Sequence, residues 1–441
     1  NRNMIILKFG GTSVGSAERM KALVNLISSD EKKIVVLSAM SGTTNKLIDI
    51  CKALFNKQHQ VANAYIDALE SLYLKEVEAL YAKEEFKTKG IGLIKNHFNH
   101  LRSFTLDMFT SNEEKAILAQ GELLSTALFY FHLQEIGMTS ALIPALNFMR
   151  IDENEEPQLA YIEKNLNLEL EKYPTTNIFI TQGYICRNAF GEIDNLKRGG
   201  SDYTASIIGA AIHAKEVQIW TDIDGMHNND PRIVNKTHAI HQLSFDEAAE
   251  LAYFGAKILH PTCILPAQKR NIPVLLKNTM KPEALGTVIS NSHSEEGIKA
   301  VAAKDGICAI AIKSDRMLLA HGFLRAVFDI FERYKTSIDM ITTSEIAVSL
   351  TIDNDLYLKE IIKELEEFAN VEIEKEQTII CIVGHLPKNK AGYGFKVLEA
   401  LKDIPLRMVS YGGSSNNISV LVDSTRKKEA LIALNKGLFG Y

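Results

Sequence analysis

Cysteine is scarce in this chain of 441 residues, and its five thiols include no CxxC pair. An odd number of cysteines without a CxxC pair predicts a reduced, cytoplasmic setting with inert thiols. Basic charge is not in excess, because the net charge is −5 at pH 7, so we expect no nucleic-acid partner. Apolar runs fall short of the roughly 18 residues that cross a bilayer and no signal-peptide pattern is present, so no membrane partner is expected.

Apolar residues make up 46% of the chain, enough to bury sizeable cores, and its length predicts two or three domains. Over residues 1–290, short runs that are apolar on both faces alternate with helical patterns. This alternation predicts an open, mostly parallel α/β sheet sandwiched by helices. Helical patterning is continuous between residues 52 and 135, and strands are predicted at residues 4–9, 34–38, 177–181, 217–221 and 272–276.

The rhythm of the sequence changes in its C-terminal part. Residues 282–297 collect Asn, Ser, His and Gly, which predicts a domain boundary there. Residues 322–353 and 392–423 then repeat one pattern, in which a Gly-aromatic pair near a helix start is followed by an alternating strand. The repeat predicts two βαββαβ-like units, although two unrelated α+β segments also fit the spacing.

The segment Lys8-Phe9-Gly10-Gly11-Thr12-Ser13-Val14 joins a strand end to a helix start through two glycines. Free backbone N–H groups at such a helix start favour a phosphate, and Lys8 adds a positive charge at the same place. An ordinary strand-to-helix turn is the alternative interpretation. No GxxxxGK[ST] segment occurs, which excludes a P-loop kinase.

A second glycine pair lies in Arg198-Gly199-Gly200-Ser201-Asp202-Tyr203-Thr204, again before an apolar helical run. Glycines let the backbone approach a ligand closely, and the guanidinium of Arg198 can hold a carboxylate or phosphate by two hydrogen bonds. A helix cap is the alternative role for Asp202. The company of Arg198, Ser201 and Thr204 within one turn favours a ligand-binding site.

Three further segments carry candidate ligand contacts. Thr221 and Asp222 follow a predicted strand and suit a nucleotide base or ribose. Glu122 lies in an apolar helical stretch and needs a partner, such as a ligand ammonium. Lys257 stands between a glycine turn and a proline-started helix, where a solvated surface lysine is the alternative. A histidine pair three residues apart lacks a third ligand nearby, so we predict no metal site built from protein side chains.

In their order and spacing, these segments resemble aspartate kinase, a family of the amino acid kinase superfamily. The resemblance covers essentially the whole chain and includes two further segments, Gly121-Glu122-Leu123 and Phe254-Gly255-Ala256-Lys257. No dinucleotide fingerprint follows, which implies a monofunctional enzyme and not a fusion to homoserine dehydrogenase. Another superfamily member and a catalytically inactive amino-acid sensor are the alternatives.

The resemblance also implies a domain organisation. An amino acid kinase domain is expected over residues 1–290, followed by a regulatory region of two ferredoxin-like ACT modules over residues 298–441. The first module, residues 306–375, is expected to be inserted into a second one made of residues 298–305 and 376–441.

The activity implied is transfer of a phosphoryl group from ATP, with Mg²⁺, to the side-chain carboxylate of L-aspartate, giving 4-phospho-L-aspartate. Lys8 is then catalytic because it holds the transferring phosphate, and Asp202, also catalytic, orients Lys8 or the substrate. The implied ATP site consists of Lys8, Gly10, Gly11, Thr221, Asp222, His227, Arg232 and Lys257. The implied aspartate site consists of Ser38, Thr44, Glu122, Tyr184, Arg198 and Ser201.

Feedback inhibition is implied as well, by an amino acid bound at the first ACT module across an interface between ACT modules of a homodimer or tetramer. The free amides of a helix start suit its α-carboxylate, and Asp339 suits its α-ammonium. Glu345 is placed to meet a second ammonium, which favours L-lysine over threonine. Solvated loop carboxylates are the alternative for both acidic residues. The implied effector site consists of Met317, Gly322, Phe323, Leu324, Asp339, Thr343, Ser344 and Glu345.

Overall fold

The chain divides into two units over the residues that the computed structural model describes. Those residues are 3–441 except Arg198, 256–258, 293–294, 315–320 and Glu345. The first unit comprises Asn1–Met226, His241–Phe245 and Leu259–Ser292, and the second comprises His227–Ile240, Asp246–Ile258 and His293–Tyr441. The limits given above for the domains and modules stay a prediction.

The strands of the first unit are β1 (Ile5–Phe9), β2 (Lys33–Leu37), β3 (Ala141–Leu142), β4 (Ile178–Gln182), β5 (Ile185–Arg187), β6 (Ile193–Asn195), β7 (Glu216–Thr221), β8 (Gln242–Ser244), β9 (Val274–Asn278) and β10 (Thr287–Ser290). Within the described residues, eight of them form one sheet in the order β3-β4-β2-β1-β7-β9-β10-β8, and β5 pairs with β6. Neighbours in the large sheet are parallel except β9 and β10. Every residue of β1, β2 and β4 is buried, as expected for a parallel sheet covered on both faces. The predicted mostly parallel α/β fold is confirmed.

Helices occupy most of the connections. They are α1 (Ala17–Ile27), α2 (Thr43–Phe55), α3 (His59–Leu80), α4 (Glu84–Ser103), α5 (Ser111–Leu118), α6 (Gln120–Glu135), α7 (Leu159–Glu171), α8 (Gly200–Ile212), α9 (Phe245–Tyr253) and α10 (Leu265–Lys269). A hydrophobic core joins α1 to α6 with β1 and β2, and includes Phe9, Leu37, Phe98 and Phe129. Burial of each such side chain contributes roughly 1.5–3 kcal/mol, which fixes these helices against the sheet.

The second unit contains β11 (Gly297–Lys313), β12 (Ile341–Thr343), β13 (Ala347–Ile352), β14 (Asn370–His385), β15 (Met408–Tyr411) and β16 (Asn417–Asp423), with helices α11 (Phe323–Arg333), α12 (Leu358–Leu365), α13 (Tyr393–Ala400) and α14 (Lys427–Phe439). In the described part of this unit the six strands form one sheet, in the order β12-β13-β11-β14-β16-β15. All its strand pairs are antiparallel.

Two modules share the long strands β11 and β14. One module contains β12, β13, α11 and α12 around its own core, and the other contains β15, β16, α13 and α14 around another. The pairing of β11 with β14 shifts register between Lys304 and Ala309, where one module gives way to the other. The internal repeat of two βαββαβ-like units is thereby confirmed, and the alternative of unrelated segments is wrong.

The five cysteines are all buried, and none forms a disulfide. Among the helices that the structure describes, none has the length and apolar character to span a membrane.

Candidate active site

The carboxyl ends of four parallel strands meet at one edge of the first unit's sheet. Phe9 at the end of β1 pairs with Leu37 of β2 and with Trp220 of β7. Leu37 pairs in turn with Gln182, the last residue of β4. The chain extends the sheet from β1 first toward β2 and β4, and later toward β7. Ligands of open α/β sheets bind where the direction changes in this way, so the loops after these strands form the candidate site.

Lys8 and Asp202 form an ion pair at this edge, with 2.8 Å between Lys8 Nζ and Asp202 Oδ1. Both side chains are largely buried, at 11% and 16% exposure. Gly199 is the N-cap of α8, so Asp202 follows the cap and its carboxylate is available to Lys8. A Cβ at Gly10 would lie only 3.3 Å from Lys8 Nζ, so glycine leaves the ammonium room. A cation held in this way can act on the charge of a bound phosphate.

A cleft of about 340 Å³ opens beside Gly11. It brings Ser38 and Thr44 of the predicted aspartate site together with Gly11 of the predicted ATP site. Its lining consists of Gly11, Thr12, Ser38, Ala39, Met40, Ser41, Gly42, Thr44 and Asn45. Sequence reasoning missed Ser41 and Asn45. The available signal was Gly42, the N-cap of α2, which has a φ of 80° and comes shortly after β2.

The wall near Ser38 is tightly packed. The Ser38 hydroxyl donates a hydrogen bond of 2.9 Å to Ser201 Oγ. A Cβ at Gly183 would overlap the Ser201 side chain, so only glycine allows β4 to end against α8. Tyr184 follows with a φ of 70°, uncommon for a bulky residue, and its N–H donates to Thr204 Oγ1 at 2.9 Å. The turn after β4 and the start of α8 are therefore joined by close packing and a hydrogen bond.

Glu122 presents a buried carboxylate to this region, with only 3% of the residue exposed. Its Oε1 accepts a hydrogen bond of 3.3 Å from the N–H of Ala39, a residue that lines the cleft. Its Oε2 has no partner among the described residues. Burial raises the pKa of Glu122 to about 8, and burial together with Glu122 raises the pKa of Tyr184 to about 12. A cationic ligand group would fit this unpaired oxygen.

A layer of polar contacts behind Glu122 was not predicted. Thr126 Oγ1 donates to the Glu122 carbonyl at 2.7 Å and accepts from Gln182 Nε2 at 2.9 Å. Thr43 and Tyr73 share a hydrogen bond of 2.7 Å between their hydroxyls. No local pattern signals the contacts of Thr126 with Gln182 and of Thr43 with Tyr73, because these partners come from different helices and strands.

The predicted nucleotide residues fall in both units. Thr221 ends β7 in the first unit, where its hydroxyl donates to the Ile223 carbonyl at 3.2 Å, and Asp222 is exposed next to it. In the second unit, His227 Nδ1 lies 2.8 Å from Thr237 Oγ1. There, the largely exposed Arg232 pairs with Asp230 at 2.8 Å. A common nucleotide pocket for these residues stays a prediction.

Four predicted site residues lie outside the described residues: Arg198, Lys257, Met317 and Glu345. Within the ranges that the structure does describe, no group of three or more His, Cys, Asp or Glu could hold a metal ion.

Three of the predicted effector residues, Gly322, Phe323 and Leu324, lie at the start of α11 in the second unit. Gly322 is the N-cap of α11, Phe323 is buried, and Leu324 is 38% exposed. The side chain of Asp339 is fully buried and accepts a hydrogen bond of 2.7 Å from the Tyr253 hydroxyl, so it is not a solvated loop carboxylate. Burial raises the pKa of Asp339. Thr343 at the end of β12 and the following Ser344 are both exposed.

Comparison with known proteins agrees with this architecture. Residues 3–278 match the amino acid kinase family, and residues 380–438 match an ACT domain. Lysine-sensitive aspartokinase 3 of Escherichia coli is 32% identical over 99% of both chains. A chloroplastic aspartokinase 3 of Arabidopsis thaliana is 34% identical over 98% of this chain and 81% of its own length.

Solved structures give the same result. E. coli aspartokinase III in complex with aspartate and ADP, in the R-state, is 32% identical and superimposes with a TM-score of 0.84. Its T-state complex with lysine and aspartate is 31% identical and gives a TM-score of 0.81. Each match covers 99% of this chain and 100% of the other. On the fold, the motifs and these matches, the chain belongs to the aspartokinase family of amino acid kinases.

Proposed function

We propose that the chain phosphorylates the side-chain carboxylate of L-aspartate with MgATP and releases 4-phospho-L-aspartate and MgADP. The observation that carries this proposal is the buried Lys8–Asp202 pair at the carboxyl edge of the sheet. The neighbouring cleft and Glu122 Oε2, which has no partner among the described residues, supply a place for the amino acid. The aspartate and ADP complex of E. coli aspartokinase III supports the same pair of ligands.

The chemistry needs positioning more than proton transfer. An oxygen of the aspartate side chain bonds to the γ-phosphorus while the bond from phosphorus to the β-phosphate oxygen breaks. This carboxylate is already ionised, so no general base is required and Asp202 serves to hold Lys8. Lys8, with the amides of Gly10 and Gly11, neutralises charge on the transferring group, and the Mg²⁺ that arrives with ATP would add to this neutralisation.

The substrate is held by its α-carboxylate and its α-ammonium. Arg198 binds the α-carboxylate, while Glu122 and Thr44 hold the α-ammonium. Ser38, Ser201 and Tyr184 close the pocket wall. The nucleotide is bound by Thr221, Asp222, His227, Arg232 and Lys257. We place this enzyme in a reduced cytoplasm, as inferred from the cysteine content.

One coupled ADP-release assay tests the function, with aspartate, glutamate or no amino acid as acceptor. We expect turnover with aspartate alone. Turnover with glutamate would favour another superfamily activity, and no turnover with any acceptor would favour an inactive sensor.

Arg198→Lys is expected to raise the KM for aspartate at least about tenfold, on the order of 1.4 kcal/mol, since lysine cannot make the paired hydrogen bonds of a guanidinium. The KM for ATP should change little. Lys197→Ala is the matched control, because it removes the adjacent positive charge, which lies on the surface paired with Glu155. Equal damage to ATP binding in Arg198→Lys would assign Arg198 another role.

We also propose that L-lysine inhibits the enzyme at the first ACT module, in a homodimer or tetramer joined through ACT modules. The lysine-sensitive E. coli relative and its lysine complex support this effector. The α-carboxylate would meet the start of α11 at Gly322, Phe323 and Leu324, and the α-ammonium would meet Asp339. The remaining contacts come from Met317, Thr343, Ser344 and Glu345.

Lysine is expected to inhibit the parent enzyme, whereas threonine and methionine should not. Asp339→Asn should need at least about tenfold more lysine, because a charge-assisted hydrogen bond is lost. Titration of initial rates with each amino acid measures this. Asp329→Asn, an exposed carboxylate on α11, is the control and should behave as the parent. Full lysine sensitivity in Asp339→Asn would contradict the site.

A further inference from the structure

The carboxylate of Asp339 is already engaged by the chain itself. The Tyr253 hydroxyl donates to Asp339 Oδ1 at 2.7 Å, and Lys304 Nζ lies 3.5 Å from the same oxygen. Lys304 is held more closely by Asp353, at 2.8 Å, and lies 4.4 Å from the centre of the Tyr253 ring. Asp339 Oδ2 has no partner among the described residues.

Tyr253 is the neighbour that a ligand can displace. The Asp339 side chain has no exposed surface, so an ammonium can reach it only if an adjacent group moves. Lys304 is retained by its ion pair with Asp353, whereas the Tyr253 hydroxyl makes no other hydrogen bond to a described residue and the residue is 42% exposed. Moving Tyr253 therefore costs one hydrogen bond and the contact of its ring with Lys304, and it opens Asp339.

Tyr253 is also the last residue of α9, a helix fixed to β11. Lys299 of β11 donates to Glu247 of α9 at 2.9 Å. A Cβ at Gly255 would overlap the carbonyl of Ala303, and Gly255 has a φ of 115°, so only glycine allows this approach. The segment that follows α9 is thus packed against β11, the strand that carries Lys304. The chain reaches Lys257, proposed above as an ATP contact, two residues after Gly255.

We propose that Tyr253 is a further residue of the effector site, which occupies Asp339 when the effector is absent and is displaced by the effector's α-ammonium. When Tyr253 is displaced, the end of α9 changes. This change couples effector binding to the next segment of the chain, which contains Lys257. This inference rests on the effector site proposed above. It assigns Tyr253 a competing role, because its hydroxyl donates to the same carboxylate oxygen that an ammonium would use.

The test is calorimetric titration of L-lysine into the full-length parent and into Tyr253→Phe, with and without MgADP and aspartate. Phenylalanine keeps the ring over Lys304 and removes only the hydroxyl, so the variant is expected to fold. We expect its lysine Kd to be about tenfold lower than that of the parent, because the competing donor is gone. By reciprocity, the factor by which the ligands of the kinase site weaken lysine binding should shrink.

Tyr393→Phe is the matched control, since the Tyr393 hydroxyl donates to Glu296 at 2.6 Å in the same unit without touching Asp339. Its lysine Kd should equal that of the parent. Equal or weaker lysine binding by Tyr253→Phe would overturn the competition while leaving the lysine site standing. If MgADP and aspartate weaken lysine binding to Tyr253→Phe by the same factor as in the parent, the proposed coupling through α9 is wrong.

Lysine binding to Tyr253→Phe but not to the parent would support the competition and contradict lysine inhibition of the parent. Binding to neither protein would overturn both proposals. The two proposals can therefore fail separately.

Discussion

Lys8→Ala is expected to lower kcat for aspartate phosphorylation by roughly 100- to 1000-fold, the loss typical of removing a charge that stabilises a transition state. Lys8 is buried at the strand end and held by Asp202, so water cannot easily replace its ammonium. The KM for aspartate should rise much less than kcat falls, because the interaction strengthens mainly while the phosphoryl group moves. Initial rates at saturating MgATP measure the effect.

Two controls separate this effect from damage to the fold. Lys46→Ala removes an exposed lysine of α2, near the cleft but outside its lining, and should retain the parent's kcat. Lys8→Ala leaves Asp202 without its cation, so the folded fraction must be measured by thermal unfolding before kcat is compared. A folded Lys8→Ala enzyme that retains more than half of the parent's kcat would refute the assignment.

Glu122→Gln is expected to raise the KM for aspartate about 100-fold, roughly 2.7 kcal/mol, with a smaller change in kcat. The amide keeps the shape of the side chain but cannot pair with a substrate ammonium in a buried site. Steady-state kinetics at varied aspartate and saturating MgATP measure the change. Glu171→Gln, an exposed position at the end of α7, should leave the KM unaltered. A KM within threefold of the parent's for Glu122→Gln would show that the ammonium binds elsewhere.

The pH dependence provides a second test of Glu122. Its pKa is about 8 in the folded chain, raised by burial from 4.5, so the carboxylate needed for the ammonium is depleted below pH 8. The kcat/KM for aspartate should therefore fall as pH drops through this range in the parent, and this component should be missing in Glu122→Gln.

Stability should respond in the opposite direction. Between pH 4.5 and 8 the folded chain keeps a proton on Glu122 that the unfolded chain has lost, so this group makes the fold less stable as pH rises. The melting temperature of Glu122→Gln minus that of the parent should therefore increase from pH 5 to pH 8. A difference that is constant with pH would contradict the raised pKa.

The sequence by itself determined the local elements and the identity of the family. Runs that are apolar on both faces gave the buried strands β1, β2 and β4, because a parallel sheet covered by helices exposes neither face. Glycine pairs after a strand and before a helix marked the turns at Gly10 and Gly199, since these features depend on neighbours in the chain. The repeat of helix and alternating strand after residue 320 likewise predicted two similar modules.

Only the tertiary structure decided which of these elements meet. Ser38 and Ser201 are 163 residues apart in the sequence, and they touch because the order of the parallel strands brings β2 and the start of α8 to one edge. The burial of Glu122, with no partner for its Oε2 among the described residues, depends on the packing around α6 and could not be inferred from an apolar stretch alone.

Local sequence patterns also do not show in which unit α9 packs. From Asp246 onward this helix groups with the second unit by its contacts, while the predicted limit of the kinase domain at residue 290 stays a prediction. Tyr253 carries no motif, and its contact with Asp339 spans 86 residues. Patterns of apolar residues and glycines reflect interactions between residues that are close in the sequence, and these interactions determine helices and strands. Contacts between distant side chains depend on the order in which those elements pack, and that order is a property of the whole fold.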